Sequence, residues 1–415
     1  MEISPIISSF DDQDAYKFFM QYAVLKHYPG AKVRYTFILR DQTIEFPAGF
    51  AEELQKQVCC FEDIRFTSEV EEHMRRKIPW FDHSYMEYLR SYRFNPDEVK
   101  IHQSQGKLSI QVEGFWHQTI LWEVPLMACI SELYYRLNDV DDFIEQNIPR
   151  WEAKFGRFES MKIAVIEFGT RRRKSKKVQE KVIETFLRAA PATIKGTSNV
   201  MFARKFGIPA SGTQAHEWFM FHGARSGAEL ATRTALEKWV ETYHGALGIA
   251  LTDTYTTDVF FREFDLYFSK LFDGLRHDSG DPVVFARKSI QHYLDKQIVL
   301  PGGLIPKTLV FSDSIDHFDK ISNIENMVQN RILSVYGIGT WITNDIIGDH
   351  GIRVKPLNMV IKMTEAQPFG RSDYFPCVKL TDCPEKRTGD ANAIMEYEAG
   401  LSHSGTVAIN KDQDR

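Results

Sequence analysis

The stretch Lys162-Ile163-Ala164-Val165-Ile166-Glu167-Phe168-Gly169 decides the predicted fold. It is a short apolar run that ends in polar or glycine residues, and a helical pattern follows it. The same rhythm returns along the chain in further runs at 192–198, 208–213, 248–253, 274–279, 307–313, 333–339 and 358–362. Because such strands alternate with helices, the pattern predicts a parallel β/α architecture.

Seven or eight strand candidates predict an α/β fold built on an irregular (β/α) barrel, with an open doubly wound sheet as the alternative. The first strand–helix turn lacks GxGxxG, which disfavours a dinucleotide-binding sheet. In a barrel, functional side chains lie where the strands end. We therefore expect one site to gather the residues at the predicted strand ends, which are Phe168, Arg171, Ser198, His216, Asp253, Asp278, Ser312, Asp313 and Gly339.

The first 140 residues follow another pattern, which predicts an N-terminal α+β domain. Helical spacing covers 10–28, 49–93 and 119–137, a strand covers 32–40, and a hairpin covers 99–112 with its turn at Gln105-Gly106. The barrel domain is predicted over 141–365. A C-terminal segment over 366–415 is expected to pack back on the N-terminal domain and to fray from Asn410.

The composition of the 415 residues is that of a soluble globular protein, with 43% hydrophobic and 26% charged residues. The net charge of −5 disfavours a nucleic-acid partner. Five scattered cysteines form no disulfide framework, which favours a reducing compartment. Neither a signal peptide nor a membrane-spanning run is recognisable. We predict a cytoplasmic protein that binds neither nucleic acid nor membrane.

His216 lies in the run Ser211-Gly212-Thr213-Gln214-Ala215-His216-Glu217-Trp218. The small residues before it would let a bulky anionic ligand reach the imidazole. A pKa near neutrality lets a histidine act as base, acid or phosphoryl acceptor. From this residue alone, a structural histidine is the alternative.

Several other segments carry groups that suit phosphate, ribose or a metal ion. Arg171 opens a run of six cations in seven residues, which predicts either polyphosphate binding or a solvated helix face. Asp278 and Asp281 could hold a ribose or hydrated Mg²⁺, although Asp281-Pro282 also suits a helix start. Segments 312–316 and 336–340 are typical of phosphate-binding turns. P-loop, zinc-cluster and GxSxG patterns are absent from the sequence.

An N-terminal motif and five further motifs, in order, resemble the nicotinate phosphoribosyltransferase family over nearly the whole chain. The N-terminal motif is Asp14-Ala15-Tyr16-Lys17. The five others lie at 167–172, 196–199, 212–217, 276–282 and 336–340, and read EFGTRR, GTSN, GTQAHE, RHDSGDP and YGIGT. Beyond about residue 365 the resemblance is loose.

The resemblance implies an enzyme that converts nicotinate and phosphoribosyl pyrophosphate to nicotinate mononucleotide and pyrophosphate. It implies Mg²⁺ as cofactor and coupling to ATP hydrolysis through a phosphohistidine at His216, which formally makes the enzyme a ligase. The reaction belongs to NAD biosynthesis by the Preiss–Handler route. The partners are then nicotinate, phosphoribosyl pyrophosphate and ATP. A homodimer is compatible with the family, and whether Tyr16 serves its own or a neighbouring subunit is left open.

The resemblance also implies residue roles. His216, Arg171 and Asp278 are the predicted catalytic residues, with Asp278 or Asp281 reaching Mg²⁺ through water. Substrate is expected to contact Tyr16, Phe168, Thr197, Ser198, Arg276, Ser279 and Gly280, with Tyr16 and Phe168 sandwiching the pyridine ring. The predicted phosphate-binding residues are Ser312, Asp313, Ser314, Gly337, Gly339 and Thr340.

Ser198 bears on the choice of base. Nicotinamide-using relatives carry an aspartate at the matching place, which would repel the carboxylate of nicotinate, whereas a serine can donate to it. We therefore predict nicotinate over nicotinamide. A nicotinamide- or quinolinate-using enzyme and a non-catalytic nucleotide sensor are the alternatives.

Overall fold

The computed structural model describes residues 4–412, with side chains through residue 402. Its strands are β1 (Lys32–Leu39), β2 (Val99–Ser104), β3 (Lys107–Phe115), β4 (Val165–Glu167), β5 (Ile194–Thr197), β6 (Ile249–Leu251), β7 (Gly274–His277), β8 (Thr308–Phe311), β9 (Leu333–Ile338), β10 (Met359–Gln367) and β11 (Phe375–Pro376). They form two separate sheets, one antiparallel and one parallel.

The helices of the N-terminal part are α1 (Ala15–His27), α2 (Phe50–Cys60), α3 (Ser68–Lys77), α4 (His83–Ser91), α5 (Trp116–Thr119), α6 (Glu123–Leu137) and α7 (Ile144–Ser160). Those that follow are α8 (Lys176–Ala189), α9 (Val200–Phe206), α10 (His216–Ser226), α11 (Ala228–Tyr243), α12 (Thr257–Glu263), α13 (Leu266–Leu271), α14 (Pro282–Asp295), α15 (Phe318–Val328), α16 (Thr340–Thr343) and α17 (Ala391–Asp412). The described residues contain no helix that is long and apolar enough to cross a membrane.

The antiparallel sheet has the strand order β11-β10-β1-β3-β2. Every second residue of β1 is buried, because Val33, Tyr35 and Phe37 face the core. Gln105 and Gly106 both have positive φ, as the tight turn between β2 and β3 requires. The predicted strand at 32–40 and the predicted hairpin at 99–112 are confirmed.

The predicted barrel strand at 358–362 is wrong in its placement. The strand exists as β10, but it pairs antiparallel with β1, from Met359 opposite Leu39 to Gln367 opposite Lys32. The chain thus returns to the N-terminal sheet after the last parallel strand. Apolar alternation reveals a strand but not its partner, which here lies more than 300 residues earlier in the sequence.

The parallel sheet has six strands in the order β5-β4-β9-β8-β7-β6, which confirms the predicted parallel β/α architecture. The predicted count of seven or eight strands is wrong. Besides β10, the run at 208–213 is missing from the sheet and makes only a bridge between Thr197 and Ala210. Pro209 lacks an amide hydrogen, so this run cannot form a full ladder. It nevertheless spans the two edge strands, because Ser211 N donates to Thr197 O over 2.8 Å and Thr213 Oγ1 donates to Ile249 O over 2.9 Å.

The C-terminal segment contacts both halves of the molecule. Strand β11 extends the antiparallel sheet beside β10. A few residues later, Leu380 N donates to Thr254 O over 2.9 Å, next to the parallel strand β6. The predicted frayed tail lies partly outside the described residues, which end at 412 within α17.

Candidate active site

A cavity of about 460 Å³ lies where the carboxyl ends of the parallel strands face the antiparallel sheet. Thirteen of the residues singled out from the sequence line it, namely Tyr16, Phe168, Arg171, Ser198, His216, Arg276, Asp278, Ser312, Asp313, Ser314, Gly337, Gly339 and Thr340. Tyr16 and His216 of one chain line the same cavity.

His216 is the first residue of α10 and is buried in the cavity wall. Its Nε2 lies 2.9 Å from Asp278 Oδ2, and its Nδ1 lies 3.0 Å from Thr254 Oγ1. Burial, together with the charge of Lys379, lowers the pKa of His216 to about 4 despite the nearby carboxylates. The imidazole is therefore neutral at physiological pH and is oriented by two partners.

Asp278 connects the histidine to the next strand end. Its Oδ1 accepts a hydrogen bond from Ser312 Oγ over 2.8 Å, while its Oδ2 faces His216. Burial raises the pKa of Asp278, but the His216 hydrogen bond and the Arg276 charge outweigh burial and hold it well below the usual range. Asp278 is thus an ionised carboxylate at the cavity wall.

Asp253 adds a second carboxylate beside this pair. Its Oδ1 lies 3.9 Å from His216 Nε2, is buried, and has no hydrogen-bond partner in the described part of the chain. One ligand atom each from His216, Asp253 and Asp278 lie within 4.8 Å of one another, a spacing that could hold a metal ion. An orphaned buried carboxylate oxygen is costly, so a cation or a water is its natural partner.

Two aromatic rings stand on the cavity wall because glycines leave room for them. A Cβ on Gly337 would lie 2.5 Å from the Phe168 ring, and one on Gly212 would lie 2.9 Å from Tyr16 Cβ. Neither glycine can carry a side chain unless the aromatic residue beside it moves. The glycines of the YGIGT and GTQAHE motifs therefore place the rings as well as the loops.

Ser198 faces the cavity but is already hydrogen-bonded. Its Oγ donates to Asp14 Oδ1 over 2.7 Å, and both side chains are buried. Burial raises the pKa of Asp14, with the charge of Arg171 and the Ser198 hydrogen bond opposing it. The hydroxyl that was expected to donate to a substrate carboxylate thus donates to a protein carboxylate.

The predicted arginines both reach the cavity. Arg171 Nη1 lies 3.3 Å from Glu123 Oε1, and its side chain is 38% exposed, so it remains able to contact a ligand. Arg276 Nη1 donates to Gln214 O over 3.0 Å, which ties it to the segment before His216. The rest of the basic run is not a solvated helix face throughout, because Arg173 is fully buried against Asp12.

The predicted phosphate turns follow β8 and β9. Ser314 adopts a positive φ, and its hydroxyl donates to Asp313 Oδ1 over 3.0 Å. Asp313 also forms an ion pair with Lys386 of the C-terminal segment. A Cβ on Gly339 would lie 3.3 Å from Phe168 O, so the two strand ends approach closely.

Five predicted residues lie outside the cavity lining, namely Asp253, Thr197, Ser279, Gly280 and Asp281. Thr197 is fully buried and donates to Glu167 Oε2 over 2.5 Å. Ser279 donates to Asp253 Oδ2 over 2.5 Å, and Gly280 turns the chain with a φ of 80°. Asp281 accepts hydrogen bonds from two amides at the start of α14, which confirms its expected capping role.

Several cations that line the cavity were not predicted from the sequence. Arg40 follows β1, Lys362 lies on β10, and Lys379 belongs to the C-terminal segment. Burial and the neighbouring Lys379 lower the pKa of Lys362 to about 8. A lysine in the apolar alternation of 358–363 was a signal for a buried cation, whereas Lys379 lies in no recognisable motif.

Similarity to known proteins covers almost the whole chain. The model of the nicotinate phosphoribosyltransferase (NAPRTase) family matches residues 163–398, and that of its N-terminal domain matches residues 12–131. The nicotinate phosphoribosyltransferase of Chromohalobacter salexigens is 43% identical over 94% of this chain and 97% of its own length. That of Desulforapulum autotrophicum is 43% identical over 95% of this chain and 100% of its own.

Solved structures agree with these matches. The crystal structure of nicotinate phosphoribosyltransferase from Porphyromonas gingivalis superposes with a TM-score of 0.90 at 37% identity, covering 96% of this chain and 100% of that one. A putative nicotinate phosphoribosyltransferase from Saccharomyces cerevisiae superposes with a TM-score of 0.90 at 32% identity, covering 97% and 100%. The chain belongs to the nicotinate phosphoribosyltransferase family.

Proposed function

We propose that this protein transfers the phosphoribosyl group of 5-phosphoribosyl 1-pyrophosphate to nicotinate, coupled to ATP hydrolysis through phosphorylation of His216. One observation carries the proposal. Two aromatic rings, an oriented histidine and two phosphate-suited turns line a single cavity at the carboxyl ends of the parallel strands. The name shared by relatives at 43% identity supports the same reaction. The six strands and the bridging run 208–213 would form the irregular barrel that holds this cavity.

In the reaction, the ring nitrogen of nicotinate forms a bond to ribose C1′ while the C1′–O bond to pyrophosphate breaks. Tyr16 and Phe168 would hold the flat pyridine ring between them. Arg276 is the cation placed to meet the nicotinate carboxylate or to stack on the ring. Positive charge develops on the ribose as pyrophosphate leaves, and the ionised Asp278 carboxylate can stabilise it.

The base preference follows from the Ser198–Asp14 pair. An aspartate at 198 would place two carboxylates within hydrogen-bond distance, where one would have to take up a proton or move. A serine there lets Asp14 stay compensated by Arg171 and by the Ser198 hydroxyl. The cavity then presents less negative charge to an anionic base, which favours nicotinate over nicotinamide.

The leaving pyrophosphate would meet the cations of the cavity. Arg171 lies on the parallel-sheet side, and Arg40, Lys362 and Lys379 lie on the opposite side. The 5′-phosphate would bind the turns at Ser312–Ser314 and Gly337–Thr340 through their backbone amides. The two phosphate groups of the substrate thus have separate binding regions.

The carboxylates beside His216 fit the Mg²⁺ that this family implies. Asp253 Oδ1 is orphaned and Asp278 is ionised, and Mg²⁺ prefers carboxylate oxygens over imidazole nitrogen. Bound Mg²⁺ would offset the charge of the departing pyrophosphate. Asp281, the other predicted contact, is occupied as the cap of α14, where one of its carboxylate oxygens accepts from two backbone amides.

Phosphorylation of His216 would bring ATP energy into binding. A neutral imidazole is the form that can accept a phosphoryl group, and burial keeps His216 neutral. The phosphate would add about two negative charges beside Asp278 and near the cations of the pyrophosphate region. Substrate affinity would then differ between the phosphorylated and free enzymes, which is a ligase-type coupling in the Preiss–Handler route of NAD biosynthesis.

The test is mononucleotide and ADP formation from phosphoribosyl pyrophosphate, Mg²⁺ and ATP, with nicotinate, nicotinamide and quinolinate in parallel. We expect nicotinate turnover that rises with ATP and an ADP yield that follows it. Preference for nicotinamide or quinolinate would replace the substrate assignment. Binding of phosphoribosyl pyrophosphate without turnover of any base would favour a sensor instead.

A further inference from the structure

Lys17 is fully buried behind the cavity wall and does not line the cavity. Its Nζ lies 2.5 Å from Glu123 Oε2 and 2.8 Å from Glu217 Oε1. Both carboxylates belong to residues that do line the cavity. One buried ammonium group therefore joins two residues of the cavity wall that are 94 positions apart in the sequence.

The three members of this cluster lie in the first turns of three helices. Lys17 belongs to α1, Glu123 to α6 and Glu217 to α10. A carboxylate is favoured at a helix N-terminus and a cation is disfavoured there. Lys17 therefore does not serve the stability of its own helix. Its contacts tie the starts of three helices together.

Each member of the cluster is also either adjacent in sequence to a predicted functional residue or in contact with one. Lys17 follows Tyr16, and Glu217 follows His216. Glu123 Oε1 is 3.3 Å from Arg171, and Glu123 Oε2 accepts from the Tyr16 hydroxyl over 3.4 Å. The cluster thus connects Tyr16, which is proposed to contact the pyridine ring, with Arg171 and His216.

Lys17 is the cation that contacts both carboxylates of the cluster. Two carboxylates face two cations, Lys17 and Arg171, in a buried setting. Burial raises the pKa of both carboxyl groups, but Lys17 and Arg171 bring that of Glu123 down to about 2, whereas that of Glu217 stays raised. Without Lys17, Glu123 keeps Arg171 as its ion-pair partner, whereas Glu217 loses the one cation with which it forms an ion pair in the described part of the chain.

We propose that Lys17 is a positioning residue for the transfer reaction. It fixes the relative positions of Tyr16, Arg171 and His216, and it leaves the Arg171 guanidinium free to bind phosphate. This inference rests on the proposed function, because the reaction that Lys17 would affect is the proposed phosphoribosyl transfer. Without Lys17, the excess negative charge of Glu123 and Glu217 would draw Arg171 out of the cavity, because an unpaired buried charge is strongly unfavourable. The loss of Lys17 should then weaken phosphate binding, although Lys17 contacts no substrate.

The decisive experiment measures the dissociation constant of inorganic pyrophosphate by calorimetry, at fixed Mg²⁺. It compares the unaltered enzyme with Lys17→Met and with Lys17→Met/Glu217→Gln. The single variant leaves one excess negative charge, whereas the double variant is balanced again. We expect the single variant to bind pyrophosphate about 10-fold or more weakly, and the double variant to recover most of the loss. A merely structural lysine predicts the opposite order, because the double variant loses more contacts.

The pH dependence of the same ratio gives a second readout. In Lys17→Met the two carboxylates should share a proton as the pH falls, which frees Arg171 again. The single-variant defect should therefore shrink from pH 8 to pH 6, while that of the double variant stays constant. The ratio to the unaltered enzyme cancels the protonation of pyrophosphate itself. The charged or titratable groups that also face the cluster, and are common to all three proteins, are Asp14, Tyr16, Tyr35, Arg171 and Lys362.

If Lys17→Met does not fold, Glu217→Gln alone decides the question. It leaves Lys17 to Glu123 and frees Arg171, so pyrophosphate should bind as tightly or more tightly, and weaker binding would overturn the proposal. Unchanged affinity in a folded Lys17→Met would overturn it as well. An unaltered enzyme that forms no nicotinate mononucleotide refutes the proposed function instead, and the pyrophosphate comparison still decides the role of Lys17.

Discussion

The cavity has two walls that were built in different ways. The parallel-sheet wall supplies Phe168 and Asp278 from the loops that follow β4 and β7, and His216 from the start of α10. The facing wall supplies Arg40, Lys362 and Lys379 from the antiparallel sheet and the C-terminal segment. The first wall carries the groups proposed to orient the base and to accept a phosphoryl group, whereas the second carries mainly positive charge.

The difference shows which site residues can be predicted from the rule that functional groups lie at the carboxyl ends of parallel strands. Parallel strands bring their carboxyl ends to one edge, so residues far apart in sequence can be assigned to one site from their position alone. The facing wall follows no such rule, since an antiparallel strand has no preferred functional end. If the two walls have these separate roles, substitutions in the first wall should lower turnover, and substitutions in the second wall should weaken anion binding.

The largest effect is expected for His216→Ala, which removes the proposed phosphoryl acceptor of the first wall. ATP-stimulated turnover should fall by about 10³-fold, with no phosphoenzyme, while binding of nicotinate in the absence of ATP stays near normal. Labelling with γ-³²P-ATP and product chromatography measure both. His317→Ala, at an exposed histidine outside the cavity lining, is the matched control. A labelled His216→Ala enzyme would contradict the assignment.

Lys362→Met tests the second wall by removing a cation from β10. Phosphoribosyl pyrophosphate should show a KM about 10- to 100-fold higher, with kcat changed far less, because a charge-assisted contact to the anion is lost. Lys100→Met, an exposed lysine on β2 of the same sheet, should behave like the unaltered enzyme. Equal losses in kcat and kcat/KM would show instead that Lys362 acts in the transition state, and the two walls would not divide the work.

The sequence predicted the two walls unequally for physical reasons. Periodicity and turn residues are local, so β1, the β2–β3 hairpin and the parallel strands could be predicted from short windows. The pairing of β10 with β1 is not local, and the same apolar alternation would fit either sheet. The burial of Arg173 was likewise not predicted by either interpretation of the basic run, because its partner Asp12 lies 161 residues away.

Single-residue roles were the hardest part to predict. Thr197 and Ser198 are neighbours in one motif, yet one faces Glu167 in the core and the other faces the cavity. Since side chains alternate along an extended segment, a motif names the segment but not which residue reaches the ligand. Lys17 was visible only as part of a motif, because its two carboxylate partners come from distant helices.

Ser198→Asp tests whether the charge at position 198, on the first wall, determines the choice of base. The new carboxylate would meet Asp14, so nicotinate kcat/KM should fall by about 10- to 30-fold, with a smaller loss for nicotinamide. Competition assays with both bases measure the ratio. Adding Asp14→Asn should restore part of the nicotinate activity if charge is the cause. Ser198→Ala serves as the control for the lost hydroxyl, and equal losses for both bases would refute the electrostatic explanation.

Gly337→Ala tests whether the YGIGT motif positions an aromatic ring as well as a phosphate. The added methyl group would lie 2.5 Å from the Phe168 ring and would have to displace it. Overpacking of this kind costs about 1–3 kcal/mol, so the KM for nicotinate should rise about 10-fold. Gly156→Ala, within α7 and with no atom within 4 Å of the new methyl group, is the control. An effect on phosphoribosyl pyrophosphate alone would assign Gly337 to the phosphate instead.

Titration separates the two walls with the smallest perturbation. Burial lowers the pKa of His216 to about 4, so the first wall should not titrate between pH 6 and pH 8. Burial and the charge of Lys379 lower the pKa of Lys362 to about 8, so the second wall loses a positive charge as the pH rises through that value. Pyrophosphate affinity should therefore weaken a few-fold between pH 7 and pH 9, while the rate of His216 phosphorylation stays level from pH 6 to pH 8. In Lys362→Arg the cation keeps its proton, and the weakening above pH 8 should disappear. If the affinity of that variant still falls with pH, another group on the second wall titrates, and the separation of the walls would rest on the substitutions alone.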